Sequence, residues 1–256
     1  MIGKKIILRL FGQINRLSSK NRVKLIKLII KLSVSKVDSS DSLKILFELE
    51  NYIYSLLGQE SVSYGSGIHT KHRHIKYHDF FINNIHEGEN VIDIGCGNGL
   101  MDFEIVSQIN NVKLLGIDLN EKNIKFARER YKHPNLSFII GDALNEIPNQ
   151  SFDVVILSNV LEHIQNRNVF LKKIIQQIKP TRMIIRVPSF ERDWRVPLKK
   201  ELGIDYRLDP THYIEYTQDE FFNELQESNL EATKIEYRWG EIWSVVEPKS
   251  KGSISD

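Results

Sequence analysis

The sequence has 256 residues, 41% apolar and 27% charged, with a single cysteine and a formal net charge of +2. Such fractions belong to soluble globular proteins, and no apolar run approaches the roughly 20 residues needed to cross a bilayer, which argues against a transmembrane helix. Lone Cys96 rules out an internal disulfide framework, and no apolar leader with a small-residue cleavage site is seen, so the cytoplasm is the expected compartment.

The near-zero charge hides an asymmetry. Residues 1–37 carry ten Lys or Arg and no Asp or Glu, leaving 25 basic against 33 acidic residues in the remainder. The arm is therefore expected to meet something anionic, whereas the main domain offers no general polyanion surface. Lys20, Lys24, Lys27 and Lys31 step by four, three and four, with Val23, Ile26 and Ile30 among the residues between, the pattern of a basic amphipathic helix. One reading places residues 1–36 peripherally on an anionic membrane, at its inner face; another packs the helix on its own domain or on a second subunit in a homodimer. RNA binding by the arm is a third reading, but nucleic acid is not the expected partner. A second helix is expected from a cap at Ser39 or Ser40 through Leu57, ending at Gly58, so that residues 1–58 form a helical extension.

Residues 59–87 contain Tyr64-Gly65-Ser66-Gly67 and then His69, His72, His74 and His78. His74 and His78 stand at i and i+4, but no third ligand is specified, so no metal site is expected. This glycine-containing loop and helix is expected to cover a cofactor, with Arg73 or His69 meeting a carboxylate.

Asn90 to Ile94 reads as a strand that runs into Gly95-Cys96-Gly97-Asn98-Gly99 and then a helix from Leu100. Glycines let the backbone turn sharply and approach a ligand, and the helix N-terminus favours electron-rich groups. Val112 to Ile117 is a second strand with Asp118 at its end, where a carboxylate can accept both hydroxyls of a ribose and Leu119 can flank a base. Asn135 to Ile140 leads into Gly141-Asp142-Ala143, where the acid can accept from an exocyclic amine. Phe152 to Leu157 delivers Ser158, Asn159, Glu162 and His163. Strands alternating with helices imply a doubly wound α/β sheet whose ligands bind at the carboxyl ends of the strands. Met183 to Val187 adds a fifth strand. A helix over Thr217–Ser228 follows, and strands over Glu231–Arg238 and Ile242–Glu247 are joined by a tight Trp239-Gly240-Glu241 turn.

Val91-Ile92-Asp93-Ile94-Gly95-Cys96-Gly97-Asn98-Gly99 resembles the first motif of class I S-adenosylmethionine-dependent methyltransferases, and the resemblance runs from about residue 88 to 248. It implies a seven-stranded, mostly parallel sheet with an antiparallel last strand, and S-adenosyl-L-methionine as cofactor. Asp118 matches the family's ribose-binding acid, Asp142 its adenine contact, and Phe152-Asp153-Val154-Val155 through Glu162-His163 its fourth-strand motif. The donor site is thus expected at Asp93, Gly95, Gly97, Gly99, Asp118, Leu119, Asp142, Ala143 and Ser158. A nicotinamide fingerprint is disfavoured because the third glycine comes one place early, with Leu100 in the expected position.

Residue identity narrows the acceptor. Cys96 sits inside the glycine loop and is a poor candidate nucleophile, and Ser158-Asn159-Val160-Leu161 lacks the Pro-Pro-aromatic run of enzymes that methylate base amines. A hydroxyl acceptor gains from a base, for which His163 and His212 are the candidates. Residues 188–216, with Arg192, Trp194, Arg195, Tyr206 and Tyr213, read as a substrate-covering insertion in a catalytic domain spanning 88–249, followed by a flexible tail at 250–256. The stretch from Tyr64 to Phe81, with the loop ending in His212, resembles methyltransferases of bacterial or archaeal surface-glycan clusters. The expected activity is methyl transfer to a hydroxyl of a sugar or lipid-linked glycan, a small-molecule or glycan acceptor. A small-metabolite or quinone methyltransferase, an RNA methyltransferase and a non-catalytic donor-binding scaffold are the alternatives.

Overall fold

A computed structural model describes residues 14–145, 148 and 150–249, so the first part of the basic arm and the 250–256 tail lie outside the described residues. Four helices come first: α1 (Ser19–Ser33), α2 (Ser39–Tyr64), α3 (Lys71–Ile75) and α4 (Tyr77–Ile82). Ser18 caps α1, and the Asp38 carboxylate accepts from the Ser40 and Asp41 amides to cap α2, satisfying donors that the first turn leaves free. The cap of the second helix therefore falls one residue before the expected Ser39, and the helix continues through Gly58 to Tyr64. Gly58 lies within a run of helix-compatible residues, which outweighs its roughly 1 kcal/mol propensity cost. Lys76, at φ 49°, breaks α3 from α4.

The core is a seven-stranded sheet in the order β3-β2-β1-β4-β5-β7-β6. Its strands are β1 (Asn90–Ile94), β2 (Lys113–Asp118), β3 (Leu136–Ile140), β4 (Val154–Ser158), β5 (Arg182–Pro188), β6 (Leu230–Arg238) and β7 (Glu241–Pro248). β1 pairs in parallel with β2 and β4, and β7 inserts antiparallel between β5 and β6. Trp239 at φ 56° and Gly240 at φ 76° make the two-residue turn between β6 and β7, both in the left-handed region that the right-handed twist of a hairpin demands. A bulge falls between Ala232 and Lys234 on β6, which forms one edge of the sheet.

Alternation along the strands explains the layers. Val91, Val154, Ile156 and Ile184 point into one core with Phe80, Phe81, Ile105 and Trp243, while Ile92, Val155, Leu157 and Ile185 point into the other with Leu171, Ile174 and Phe221. Helices α4 and α5 (Leu100–Gln108) cover the first face; α7 (Arg167–Gln177) and α9 (Gln218–Glu227) cover the second. Helix α6 (Glu121–Arg130) packs Ile124 and Ala127 beside Phe138. With both faces sheathed, ligand access is left to the edge where β1, β2, β3, β4 and β5 end. The 188–216 insertion sits there, carrying α8 (Arg195–Glu201) and returning through a bridge between Ser189 and Tyr216. On α2 only Phe47 is buried, and Glu50 ties this helix to α8 through Lys199 Nζ at 2.9 Å and through Arg195.

Beneath the first turn, Asp93 and Asp102 are both buried, and neither carboxylate has a hydrogen-bond donor among the described residues. Desolvation raises both pKa values, Asp93 to about 6; the Asp93 charge raises Asp102 further, and the Asp118 charge adds to the rise at Asp93. A carboxyl whose native pKa lies above its unfolded value stabilises the fold at low pH and loses that contribution as pH rises through the native value. Unfolding free energy is therefore expected to fall as pH rises from about 4 through about 6, and Asp102→Asn to flatten this slope in urea titrations. An unchanged slope in the variant would refute this account of the buried pair.

Candidate functional site

The ends of β1 and β2 are tied together by the backbone. The Gly95 and Cys96 amides donate to Ile117 O at 2.7 and 3.0 Å, and the Gly97 amide donates to Asp118 Oδ2 at 2.9 Å. Asp118 Oδ1 accepts from the Asn120 amide at 2.7 Å, so this carboxylate both shapes the glycine turn and starts the following helix. The glycines have different duties. At Gly99, with φ 75°, a Cβ would lie 2.5 Å from the Phe138 ring, whereas at Gly97, with φ 56°, it would meet nothing within 4 Å. Gly99 is thus a packing glycine, and Gly97 faces open space.

That space is a cavity of about 290 Å³ at the carboxyl edge. Asp93, Gly95, Gly97 and Ser158 line it, as expected; Gly99, Asp118, Leu119, Asp142 and Ala143 are not among its lining residues. Asp142 closes its own turn, accepting from the Leu144 amide at 2.9 Å and from Asn145 Nδ2 at 2.7 Å, and Leu119 is exposed at the end of β2. Cys96 also lines the cavity, but burial and nearby carboxylates push its thiol pKa up, so it stays protonated and is no nucleophile.

The opposite wall comes from the segment before β1 and from β5. Lys71, His72, Tyr77 and Arg186 all reach the cavity. Arg186 is held by Glu241 in a two-pronged ion pair, with Nε to Oε2 at 2.7 Å and the other terminal nitrogen to Oε1 at 2.6 Å, and its guanidinium lies 4.1 Å from the centre of the Tyr77 ring. Arg186 is thus neutralised, while no carboxylate pairs with Lys71 among the described residues. Desolvation and Arg186 lower the Lys71 pKa. Burial pushes His72 down to about 4, so it is neutral at physiological pH. Lys71 could therefore receive a ligand carboxylate. The expected partners could not: Arg73 lies over Tyr64 and, with His69, lines a neighbouring cavity. His74 and His78 do not pair either, because His78 is buried against Glu104 at 2.6 Å.

His163 and His212 are brought together with ring centres 4.6 Å apart, beyond Ser158 and Asn159, although neither lines this cavity. His163 Nδ1 meets Thr211 Oγ1 at 2.8 Å; buried His212 Nδ1 meets Glu215 Oε1 at 3.2 Å. Burial and His212 lower the His163 pKa. Glu162 accepts from Asn159 Nδ2 at 2.9 Å through one oxygen and leaves the other buried without a partner, and burial raises its pKa to about 7. One ligand atom each from Glu162, His163 and His212 lie within 4.8 Å of one another. Sequence spacing pointed to no metal, yet this group can hold either a proton or a divalent cation.

A family model described as "Methyltransferase domain" matches residues 85–245. The chain belongs to this methyltransferase family. The methyltransferase is 32% identical over 126 residues to "Ubiquinone biosynthesis O-methyltransferase" of Bradyrhizobium diazoefficiens, covering 47% of each chain. It is 26% identical over 140 residues to "Malonyl-[acyl-carrier protein] O-methyltransferase 2" of Ilyobacter polytropus, covering 54% of this chain and 52% of that one. The chain thus spans about half the length of both relatives. Its fold matches the magnesium protoporphyrin IX methyltransferase of Synechocystis PCC 6803 with bound SAH, at a TM-score of 0.54 and 15% identity over 68% of this chain and 84% of that one. It is a class I methyltransferase, and its cofactor is S-adenosylmethionine. The seven-stranded sheet with an antiparallel final strand is the fold the first motif implied.

Lys71→Met is expected to weaken S-adenosylmethionine binding roughly tenfold, the scale of one lost hydrogen bond to a charged group. Calorimetric titration measures this directly. Wild-type affinity in the variant would exclude Lys71 from the donor site.

Proposed function

We propose that the methyltransferase acts on a hydroxyl of a sugar or lipid-linked glycan, with the His163–His212 pair as proton acceptor. The observation that carries this reading is the pair itself, two imidazoles beside the donor cavity with His163 depressed below its usual basicity and hence neutral at physiological pH. A hydroxyl has a pKa far above neutrality and gains from such a base, whereas an amine of an already neutral acceptor does not require one. The acceptor oxygen forms a bond to the methyl carbon as the carbon–sulfur electrons return to sulfur, and the hydroxyl proton passes to imidazole. Exposed Trp194 and Tyr213 on the 188–216 insertion support a sugar, since their faces match the C–H surface of a pyranose and polar neighbours meet its hydroxyls.

In the donor site, Asp118 would receive the ribose hydroxyls, Leu119 and Ala143 would flank the adenine, and Asp142 would accept from its amine. Gly97 lets the methionine end approach, Lys71 meets its carboxylate, and residues 59–87 cover it. Asp118→Ala and Asp142→Ala are expected to raise the donor dissociation constant roughly tenfold or more each. The named relatives favour a second reading, a phenolic or carboxyl acceptor such as a quinone precursor.

Transfer of a labelled methyl group into fractionated cell extract separates these. Label in a glycan or glycolipid fraction supports the sugar, label in a lipid-quinone or metabolite pool replaces it, and donor binding without transfer in any fraction leaves a scaffold. With the labelled acceptor in hand, His163→Ala or His212→Ala should lower kcat by about 10²- to 10⁴-fold at unchanged donor affinity. The wild-type rate should rise with pH and level off at or below neutrality. Loss of activity in EDTA, restored by a divalent cation, would reassign the pair as metal ligands.

The arm supplies the membrane part of the reading. No helix is long and apolar enough to cross a membrane among the described residues. Helix α1 buries no residue, its Ile26, Ile29 and Leu32 are more than half exposed, and none of its four lysines is ion-paired there. A 15-residue helix is marginal alone, and an anionic bilayer would satisfy the apolar arc and the lysine stripe together. The full chain is expected to sediment with phosphatidylglycerol vesicles and not with neutral phosphatidylcholine ones, and Ile29→Asp to abolish this. Equal recovery with both vesicle types, or none with either, would defeat the membrane role.

A further inference from the structure

Beyond the donor cavity lies a second, larger one of about 780 Å³. It is walled by α2, by the 188–216 insertion and by the β6–β7 turn, with Tyr54, Tyr206 and Trp239 as its rings. The two cavities share no lining residue. The Arg186–Glu241 pair connects their walls: Arg186 lines the donor cavity, and Gly240, next to Glu241, lines the second one. A further link joins the second cavity to the imidazole pair, because Arg192 on its wall is ion-paired to buried Glu215, which holds His212.

We infer that this cavity is a subsite for the part of the acceptor that does not react, and that it holds a neutral oligosaccharide against Trp239 and Tyr54. The inference rests on the sugar-transfer reading above and names where the rest of that sugar lies.

Three observations carry it. The first is conformational. Trp239 occupies the first central position of the turn at φ 56°, where Asn, Asp or Gly is the usual residue and a bulky side chain is strained. The turn does not require an indole, yet it presents one 63% exposed, over a cavity where Tyr54 is 68% exposed. Flat, exposed rings at the two sides of an open cavity are poor core and good stacking platforms.

The second is electrostatic. Each cation on the wall already has its partner: Arg195 with Asp193 at 2.7 Å, Lys199 with Glu50 at 2.9 Å, Arg207 with Asp205 at 2.9 Å, and Arg192 with Glu215. A phosphate or carboxylate ligand would find no free cation, and a cationic one no free acid. A neutral polar ligand keeps these pairs intact and uses their remaining donors and acceptors.

The third is the partition. A group reacting at the sulfonium cannot also fill a cavity that shares no lining residue with the donor one, so the occupant is a second unit of a longer acceptor. Binding energy from such a remote unit is what aligns the reacting hydroxyl. A single-ring phenol would leave this cavity unused.

The test is binding, read apart from transfer. The full chain, with S-adenosylhomocysteine added, is screened on an array of neutral and acidic oligosaccharides, and the strongest neutral binder is titrated by calorimetry. Trp239→Asn suits the turn and preserves the hairpin; Tyr54→Ala changes an exposed residue on α2. Each is expected to weaken the oligosaccharide at least tenfold while donor affinity stays at its wild-type value. Binding by acidic glycans alone, binding by none, or undiminished binding in Trp239→Asn would overturn the subsite. Methyl transfer to the same oligosaccharide is then measured. Transfer at an unchanged KM in Trp239→Asn removes the subsite and leaves the sugar-transfer reading, whereas Trp239-dependent binding with label directed to phenols removes that reading and overturns the cavity as an acceptor subsite, leaving an oligosaccharide site apart from the acceptor.

Discussion

The tie between the ends of β1 and β2 is the constraint on which the remaining architecture hangs. Two amides of the glycine turn donate to Ile117 O and a third to the Asp118 carboxylate, so the loop is pinned to the neighbouring strand rather than to its own side chains. Backbone donors spent in this way set where the helix after the turn begins and leave Gly97 facing the cavity. A carboxylate at the end of β2 is thus structural before it is functional. Removing it costs the turn as well as any ligand contact, which is why donor affinity must be measured alongside folding in any variant of Asp118.

A division of labour follows across the carboxyl edge. In the donor half, strands β1 and β4 line the cavity through short turns directly continuous with buried strands, the arrangement that holds a site most rigidly, and β2 anchors the glycine turn. The other half is assembled from segments distant in sequence: α2, α3, the insertion and the closing hairpin. Arg186 is the hinge between the halves, since one guanidinium faces the donor cavity, lies over Tyr77 and grips Glu241 across the β5–β7 ladder. Substitution of Arg186 by lysine would keep the charge and lose the two-pronged geometry.

The donor half was legible in the sequence because apolar runs of strand length ended repeatedly in Gly, Asp or Ser, and each such ending fell at one edge once the sheet formed. Asp93, Gly95, Gly97 and Ser158 line one cavity at that edge, whereas Gly99, Asp118, Leu119, Asp142 and Ala143 do not. Gly58 misled because a glycine after a run of leucines looks like a helix end, and nothing local announces that the helix continues to Tyr64. Lys71 and His72 were hidden among several cations and histidines of similar spacing; only the break at Lys76 decides which of them turn inward. Arg186 had a signal that could have been used: an arginine inside the otherwise apolar Met183-Ile184-Ile185-Arg186-Val187 run must be paired if buried. Its partner, 55 residues away, could not be named without the β7 register. Glu162, His163 and His212 were each visible, but their convergence depends on how the 188–216 segment folds back.

The bulged edge strand β6 has a bearing on how copies of this chain can meet. Lys234, Glu236 and Arg238 alternate along it, joined by ion pairs of 3.5 and 3.1 Å, with both cations reaching over the Phe80 ring. Charges at every second position and a bulge that twists the strand are the devices by which an open sheet edge refuses another strand. Continuous fourteen-stranded assembly through β6 is thereby disfavoured, as is templated aggregation from that side. Self-association, where it occurs, is left to surfaces other than the β6 edge.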